Sequence, residues 1–506
     1  MKHIVYLLLY CLLAAPTLTG QKLSERRIKS AATEAYPAGL RELMTFLKIP
    51  NIGSDPEHVA RNLDWCKETF SSMGFRTRVI ETATAPLLFA EKLVSPKKKT
   101  VMFYLQIDGQ PVDASEWEQD DPFIPVIKEK GGDGMWNTVD WDGRSIPDPE
   151  WRLFGRSASD SKGPAMAFIT AVQYFFEHRY QPEFNIKVVM DFQEELGSPS
   201  LPQAVIENRN LFDADMVLIM DGTRHISNWP TLCFGARGIA TARIRIFGPY
   251  APLHSGQYGN YAPNPVFEAA RLISSMKDER GKVLIQGFYD GISLTEEDKK
   301  ALGSLPENED SLRLRLGIHS RDAVGENYQE SLQYPSLNIR GLQSGWVGKE
   351  VRTIIPDVVD IEIDMRLVPE TPGERMMQLL RDHMEREGLY LVDDLPTPEE
   401  RAEYPKLASL EYRLGSLPFR TAMDSETGRY LNKALSRVFG EKVVHMRTTG
   451  GSQPIAPFIK TLDLPAVSIR IPNPDNNIHA PNENLRLGNF LEGIMTCLAI
   501  LNEPLK

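Results

Sequence analysis

The 506-residue sequence predicts an α/β protein, a doubly wound mixed sheet into which a smaller α+β unit is inserted. Three observations carry that expectation. First, Thr100 to Ile107, Ile186 to Phe192 and Met216 to Met220 are short apolar runs with helix-like segments between them, and each closes on acid: Asp108, the pair Glu194 and Glu195, and Asp221. Buried strands alternating with helices form a sheet covered on both faces, whose ligands collect beyond the carboxyl ends of the strands. Second, the Gly/Ser-rich stretch from Phe154 to Gly163 runs into Pro164, Met166, Phe168, Ile169, Val172 and Phe175 at helical spacing. It therefore reads as a strand-to-helix turn that presents Asp160 at a helix N-terminus. Third, the pattern changes between Arg237-Gly238 and about Arg420. There Ala240 to Phe247 and Val358 to Val368 alternate like strands with one wet face, accompanied by helical spacing over Asn264 to Met276 and Arg375 to Glu387.

A chain of this length exceeds one ordinary core, at roughly 150 residues per domain. The divisions fall at 21–238 and 420–506 for the doubly wound part and 239–419 for the insertion. With 42% hydrophobic and 25% charged residues there is ample material for a packed interior. The net charge is -11 and Lys97-Lys98-Lys99 is an isolated triplet, so the basic footprint that nucleic acid requires is missing.

Residues 1–20 read as a cleaved secretory signal: Lys2 and His3 precede an apolar run from Ile4 to Ala15, then small and polar residues follow. A secreted or periplasmic location is the resulting expectation. That run is short for the roughly 20 apolar residues of a bilayer crossing, and no later segment is a candidate for stable membrane insertion. After cleavage Cys66, Cys233 and Cys497 remain, an odd and widely spaced set that suggests neither a disulfide framework nor a thiolate zinc site.

Further elements complete the picture. Gln21 to about Met73 has amphipathic helical spacing, and Glu116 to Trp151 reads as a polar inserted loop in which Trp117, Trp136 and Trp141 serve packing first. Asp108, Asp160, Glu194, Glu195 and Asp221 should converge at one crevice, where five carboxylates repel strongly unless cations offset them. Metal is the simplest answer. Leu464 to Ile471 is a fourth buried strand, and the polar loop after it holds His479, which could supply a nitrogen ligand. Upstream, Gly450-Gly451-Ser452 is a Gly-rich turn whose amides could bind an anion or a carbonyl oxygen.

Seven blocks, in order, carry a resemblance: Asp108-Gly109-Gln110-Pro111, Gly155 to Pro164, Glu194 to Ser198, Leu253 to Asn260, Arg366 to Pro369, Gly450 to Pro454 and Asn477 to Glu483. They resemble the dinuclear zinc peptidases that include carnosinases and cytosolic non-specific dipeptidases, over nearly the whole mature chain. The resemblance implies a catalytic domain with an inserted lid and dimerisation domain, and a homodimer. It implies one or two zinc ions, with Mn2+ or Co2+ as alternatives, acting on a short peptide or an N-acyl amino acid. Asp160 matches the bridging carboxylate, Asp221 a ligand of one ion, and Glu195 and His479 ligands of the other. Glu194 matches the general base, and Asp108, in the first block, is implied to be a further catalytic residue. His254 matches a residue that reaches the partner's site to stabilise the oxyanion, Arg366 one that pairs with a substrate carboxylate, and Thr353, Gly451 and Ser452 positions lining the substrate.

Two departures stand out. Where the family has a metal-ligating His two residues before the Asp, this chain has Gln106, and an amide oxygen is a poorer zinc ligand than imidazole. Three outcomes follow from that change: a weaker or harder second metal, a single-metal enzyme, or a catalytically silent peptide- or amino-acid-binding protein. Thr448-Thr449 stands where relatives often carry Arg-Glu, which bears on substrate choice.

Overall fold

The computed structural model describes residues 22–505, so residues 1–20, read above as a signal peptide, lie outside the described residues. The organising element is an eight-stranded sheet in the order Arg76–Ile80, Leu87–Lys92, Asn185–Asp191, Thr100–Gln106, Met216–Ile219, Ala466–Arg470, Thr231–Cys233, Val444–Met446. The four central strands run parallel, and the flanking pairings include antiparallel ones, so the sheet is mixed. Each central strand is buried on both faces, as a parallel sheet covered by helices requires.

One face is covered by helices Glu25–Leu47, Lys162–Glu177, Glu426–Phe439 and Leu487–Asn502. Lys162–Glu177 is apolar nearly all round and is buried accordingly. Phe168 from this helix stacks on Phe103 of the sheet with ring centroids 4.3 Å apart. Nothing larger than glycine fits at Gly163, the second residue of this helix: a Cβ there would lie 2.0 Å from the Ala158 carbonyl oxygen. The other face is covered by Leu201–Glu207 and Ala456–Leu462, over a second apolar cluster around Tyr104, Phe212 and Phe458.

A five-stranded sheet is built from the central part of the chain, in the order Ser336–Gln343, Val358–Leu367, Gly238–Phe247, Leu407–Leu414, Tyr390–Leu391. Gly238–Phe247 and Val358–Leu367 alternate buried and wetter residues as their sequence does. Helices Pro265–Met276 and Gly373–Arg386 contribute to a separate apolar cluster with the buried side of these strands.

The stretch expected to be a loop, Glu116 to Trp151, is in part a sheet. Val126–Lys130 and Trp136–Thr138 join Arg152–Phe154 and, from the far end of the chain, Asn484–Arg486 in a four-stranded antiparallel layer. Its strands are short and their partners distant, so no local period marks them. The tryptophans pack: Trp117 is buried beside the Arg156 guanidinium, and Trp136 lies 5.2 Å from the Phe154 ring and beneath Arg152. Trp141 donates its indole N–H to the Ser145 carbonyl. Cys66, Cys233 and Cys497 are all free and buried.

Candidate metal centre

The four parallel strands bring their carboxyl ends together, and the turns that follow them carry the expected acids. Asp160, Glu195 and His479 form the group with metal-ligand character among the described residues, their ligand atoms all lying within 4.8 Å of one another. His479 Nε2 lies 2.9 Å from Asp160 Oδ2 and 3.3 Å from Glu195 Oε2. The two carboxylates are buried and the imidazole is half exposed.

How the chain aims His479 follows from the loop's composition. Asn477, His479 and Asn482 all have left-handed backbone, which Asn tolerates because its short amide bonds to nearby backbone. Asn477 Nδ2 donates to the carbonyls of Pro481 and Asn482, and the Asn476 side chain accepts from Ile478 N–H while donating to Thr223 Oγ1. That mesh offsets the cost of the left-handed His479, of order 1–3 kcal/mol for such strained residues.

Asp160 is held by a residue to which sequence reasoning assigned no role. Glu483 is fully buried, and five donors converge on it. Its Oε2 accepts from Arg156 Nη1 at 2.8 Å and Ser157 N–H at 2.9 Å. Its Oε1 accepts from Ser159 N–H and Oγ, each at 2.8 Å, and from Asp160 N–H at 2.9 Å. The Asp160–Ser161 peptide within this loop is cis. The position was visible at the end of the seventh block, but nothing local distinguishes a buried Glu from a solvated one.

Asp108 lies outside the ligand group. Its Oδ1 accepts from the Glu194 amide at 2.9 Å and its Oδ2 from the Glu195 amide at 3.1 Å, so it fixes the single 3-10 turn Glu194–Leu196 that carries both glutamates. Gln106 turns its amide N–H toward Glu195 Oε1 at 3.2 Å, and Gln110 donates to Glu195 Oε2 at 2.8 Å. Asp221 accepts from Ser161 Oγ at 2.8 Å and Gln453 Nε2 at 2.9 Å.

The electrostatics match this crowding. Burial, with Asp221, Asp160, Glu195 and Asp108 as neighbours, pushes the Glu194 carboxyl well above the usual range. Burial, with Asp191 and Glu195 nearby, does the same to Asp108. Burial raises Asp160 to about 8, and hydrogen bonds to Asp160 and Glu195 raise His479 to about 10. Glu195, against the upward push of burial, is held below the usual range by His479 and Gln110. A set of two carboxylates and an imidazole backed by further acids has the donor chemistry of a divalent cation site.

Across the cleft, Arg366 Nη1 of the five-stranded sheet donates to Ser452 Oγ at 3.1 Å. Arg237, not expected from sequence, bonds the Gly450 carbonyl at 3.1 Å, and burial together with Arg366 lowers its pKa to about 10. Two guanidiniums thus flank the Gly450-Gly451-Ser452 turn. Thr353 and His254 come together elsewhere: Leu253–His254 pairs with Ile354–Ile355, and Ser255 N–H bonds the Thr353 carbonyl at 3.3 Å. Both are exposed, and among the described residues no hydrogen bond joins either to the acidic cluster.

Comparison with known proteins gives this geometry a context. The model of Peptidase family M20/M25/M40 matches residues 102–503. The Cys-Gly metallodipeptidase dug1 of Schizosaccharomyces pombe is 26% identical over 83% of this chain and 82% of its own. The human Beta-Ala-His dipeptidase is 27% identical over 81% of this chain and 75% of its own. Among solved structures, the M20 family metallo-carboxypeptidase Sso-CP2 of Sulfolobus solfataricus superposes with a TM-score of 0.74 at 26% identity, covering 92% of this chain and 99% of that one.

These relatives correct one expectation. Similarity to the Cys-Gly metallodipeptidases of yeasts gives export no support, and the apolar run behind the signal-peptide reading lies outside the described residues, so the secreted or periplasmic location is withdrawn. No helix among the described residues is long and apolar enough to cross a membrane. The chain belongs to peptidase family M20/M25/M40, the metallopeptidases whose sequence blocks it carries in order from strand end to strand end.

Proposed function

We infer that the protein hydrolyses the peptide bond of dipeptides or short peptides that carry a free carboxylate, in a metal-dependent reaction. The observation that carries this is the convergence of Asp160, Glu195 and His479 beside Glu194. Those three residues hold the cation, for which zinc suits the mixed N/O donor set and Mn2+ or Co2+ are alternatives. When bound, such a cation polarises the scissile carbonyl and acidifies water.

The protein's own groups do the rest. The Glu194 carboxylate takes a proton from the attacking water and passes it to the departing amine nitrogen, so that base and acid are one group. Its environment favours the first half of that cycle, since burial among acids strengthens its hold on a proton. Asp108 keeps the Glu194-Glu195 backbone in place by accepting a hydrogen bond from each of their amides. Arg366 and Arg237, flanking Gly451 and Ser452, receive the substrate carboxylate through charge-assisted hydrogen bonds.

Residues 21–238 and 420–506 form the catalytic domain, and 239–419 a lid that also joins two protomers. His254 and Thr353 sit on an exposed ribbon, flanked in the chain by exposed Tyr261, Phe267, Val347 and Val351. A homodimer that buries those apolar side chains would carry His254 and Thr353 of one protomer to the cluster of the other, where His254 stabilises the developing oxyanion.

The test pairs metal content with dipeptide cleavage. Chelation should abolish turnover and zinc, manganese or cobalt should restore it. Glu194→Gln should keep metal and fold and lose turnover. Wild-type rates in that variant would overturn the assignment.

A further inference from the structure

We propose that this centre holds a single metal ion, at Asp160, Glu195 and His479, and that a hydrogen-bonded amide network anchored on Asp221 stands in place of a second. The inference rests on reading the site as a metal centre and deepens it by fixing the number of ions.

Asp221 is where a second ion would have to bind, yet both of its oxygens are engaged from within the protein. Oδ1 accepts from Ser161 Oγ at 2.8 Å and Oδ2 from Gln453 Nε2 at 2.9 Å. Gln453 is held in that sense by Ser468 Oγ, 3.1 Å from its Oε1, so its carbonyl faces the hydroxyl and its N–H faces the acid. Ser161, Gln453, Ser468 and Asp221 are all buried, so water does not compete for these bonds. A cation at Oδ2 would meet amide protons that carry positive partial charge and would have to displace the buried Gln453 hydrogen bond, which costs more than in water.

A guanidinium also packs against the residue that follows Asp221. The Arg470 guanidinium lies against Gly222, so near that a Cβ there would come within 1.3 Å of Nη1, and Gly222 has a left-handed φ of 91°. Only glycine meets both demands. Arg470 is buried, and its Nε and Nη2 have no hydrogen-bond partner among the described residues. A buried positive group packed on the residue after Asp221 repels a further cation brought to this strand end.

The remaining expected ligand is also diverted. Gln106 directs N–H, a donor, toward Glu195, and so supports a ligand of the first ion instead of offering an oxygen to a second. Three independent features, at Gln106, Gln453 and Arg470, therefore act in one direction.

The deciding measurement is ion stoichiometry on the full chain, by calorimetric titration and elemental analysis after dialysis, with Zn2+, Co2+ and Mn2+ in turn. The expected result is one ion per chain, with any second binding at least about 100-fold weaker. Asp221→Asn should leave the stoichiometry at one. The double variant Gln106→His, Gln453→Leu supplies an imidazole and frees Asp221, and should take up a second ion. Two ions of comparable affinity in the unmodified chain, with any of the three metals, would overturn the single-ion assignment while leaving the metal centre standing. No ion at all would overturn the metal centre and the assignment with it.

Discussion

Replacing Glu483 by glutamine tests what holds the metal loop in place. In the wild-type protein Arg156 and Glu483 form a buried ion pair at 2.8 Å, with side chains 4% and 0% exposed. Three backbone amides and a hydroxyl complete the shell of the carboxylate. Glutamine keeps the shape, and its oxygen can serve the Ser159 and Asp160 donors. Its NH2 group then faces Arg156 Nη1 and the Ser157 amide, donor against donor. Among the described residues Arg156 is left with the Pro111 carbonyl at 3.5 Å as its remaining acceptor, and its Nε is already without one. Removing one partner of a buried pair costs about 3–5 kcal/mol, a large share of the roughly 5–15 kcal/mol that stabilises a domain. Because the donors freed belong to the loop of Asp160, ion affinity should fall as well, by about 10- to 100-fold as for other residues that orient metal ligands. Urea unfolding followed by tryptophan fluorescence suits the measurement, since Trp117 packs on Arg156. Calorimetric titration with zinc gives the affinity. Adding Arg156→Met to Glu483→Gln should recover part of the lost stability, because no charge is then stranded and the glutamine oxygen still serves the Ser159 and Asp160 donors. A Glu483→Gln protein with unchanged midpoint and ion affinity would refute the reasoning.

Other outcomes follow from particular contacts. Arg366→Met should lower kcat/KM for dipeptides about 10- to 100-fold, the worth of about 1.5–3 kcal/mol for a hydrogen bond between charged groups, chiefly through KM. Blocking the substrate carboxylate as an amide should erase the difference between the two proteins. Burial lowers the His445 pKa below 6.5, and its Nε2 is buried without a partner among the described residues. The folded state therefore binds this proton less readily than the unfolded one, and stability present above pH 6.5 is lost as pH falls through the folded-state value. His445→Phe should flatten the pH dependence of the unfolding midpoint below 6.5, and an unchanged profile would count against it. Gly163→Ala places a methyl 2.0 Å from the Ala158 carbonyl, so the helix start or the Asp160 loop must shift. A loss of about 1–3 kcal/mol, the range for overpacking, should appear as a lower thermal midpoint.

Much of this arrangement is legible in local chemistry. Period-2 and unbroken apolar runs mark the central strands and both long strands of the five-stranded sheet, because those patterns follow from which faces are buried. Acids placed just past three such runs, and His479 past a fourth, must then meet at one sheet edge, since parallel strands end on the same side. The short strands Arg76–Ile80, Thr231–Cys233 and Val444–Met446 carried no such mark, their length being too small for a period to register.

Tertiary structure alone decided which polar groups pair across the chain. Glu483 meets Arg156 from 327 positions away, Gln453 meets Asp221 from 232, and Asn484–Arg486 closes a sheet begun at Val126. Composition and spacing report how a residue relates to its neighbours in sequence and to solvent. Whether a carboxylate binds a cation, anchors a loop or accepts from an amide depends on which donors arrive within 3 Å of it, and only the packed fold sets that.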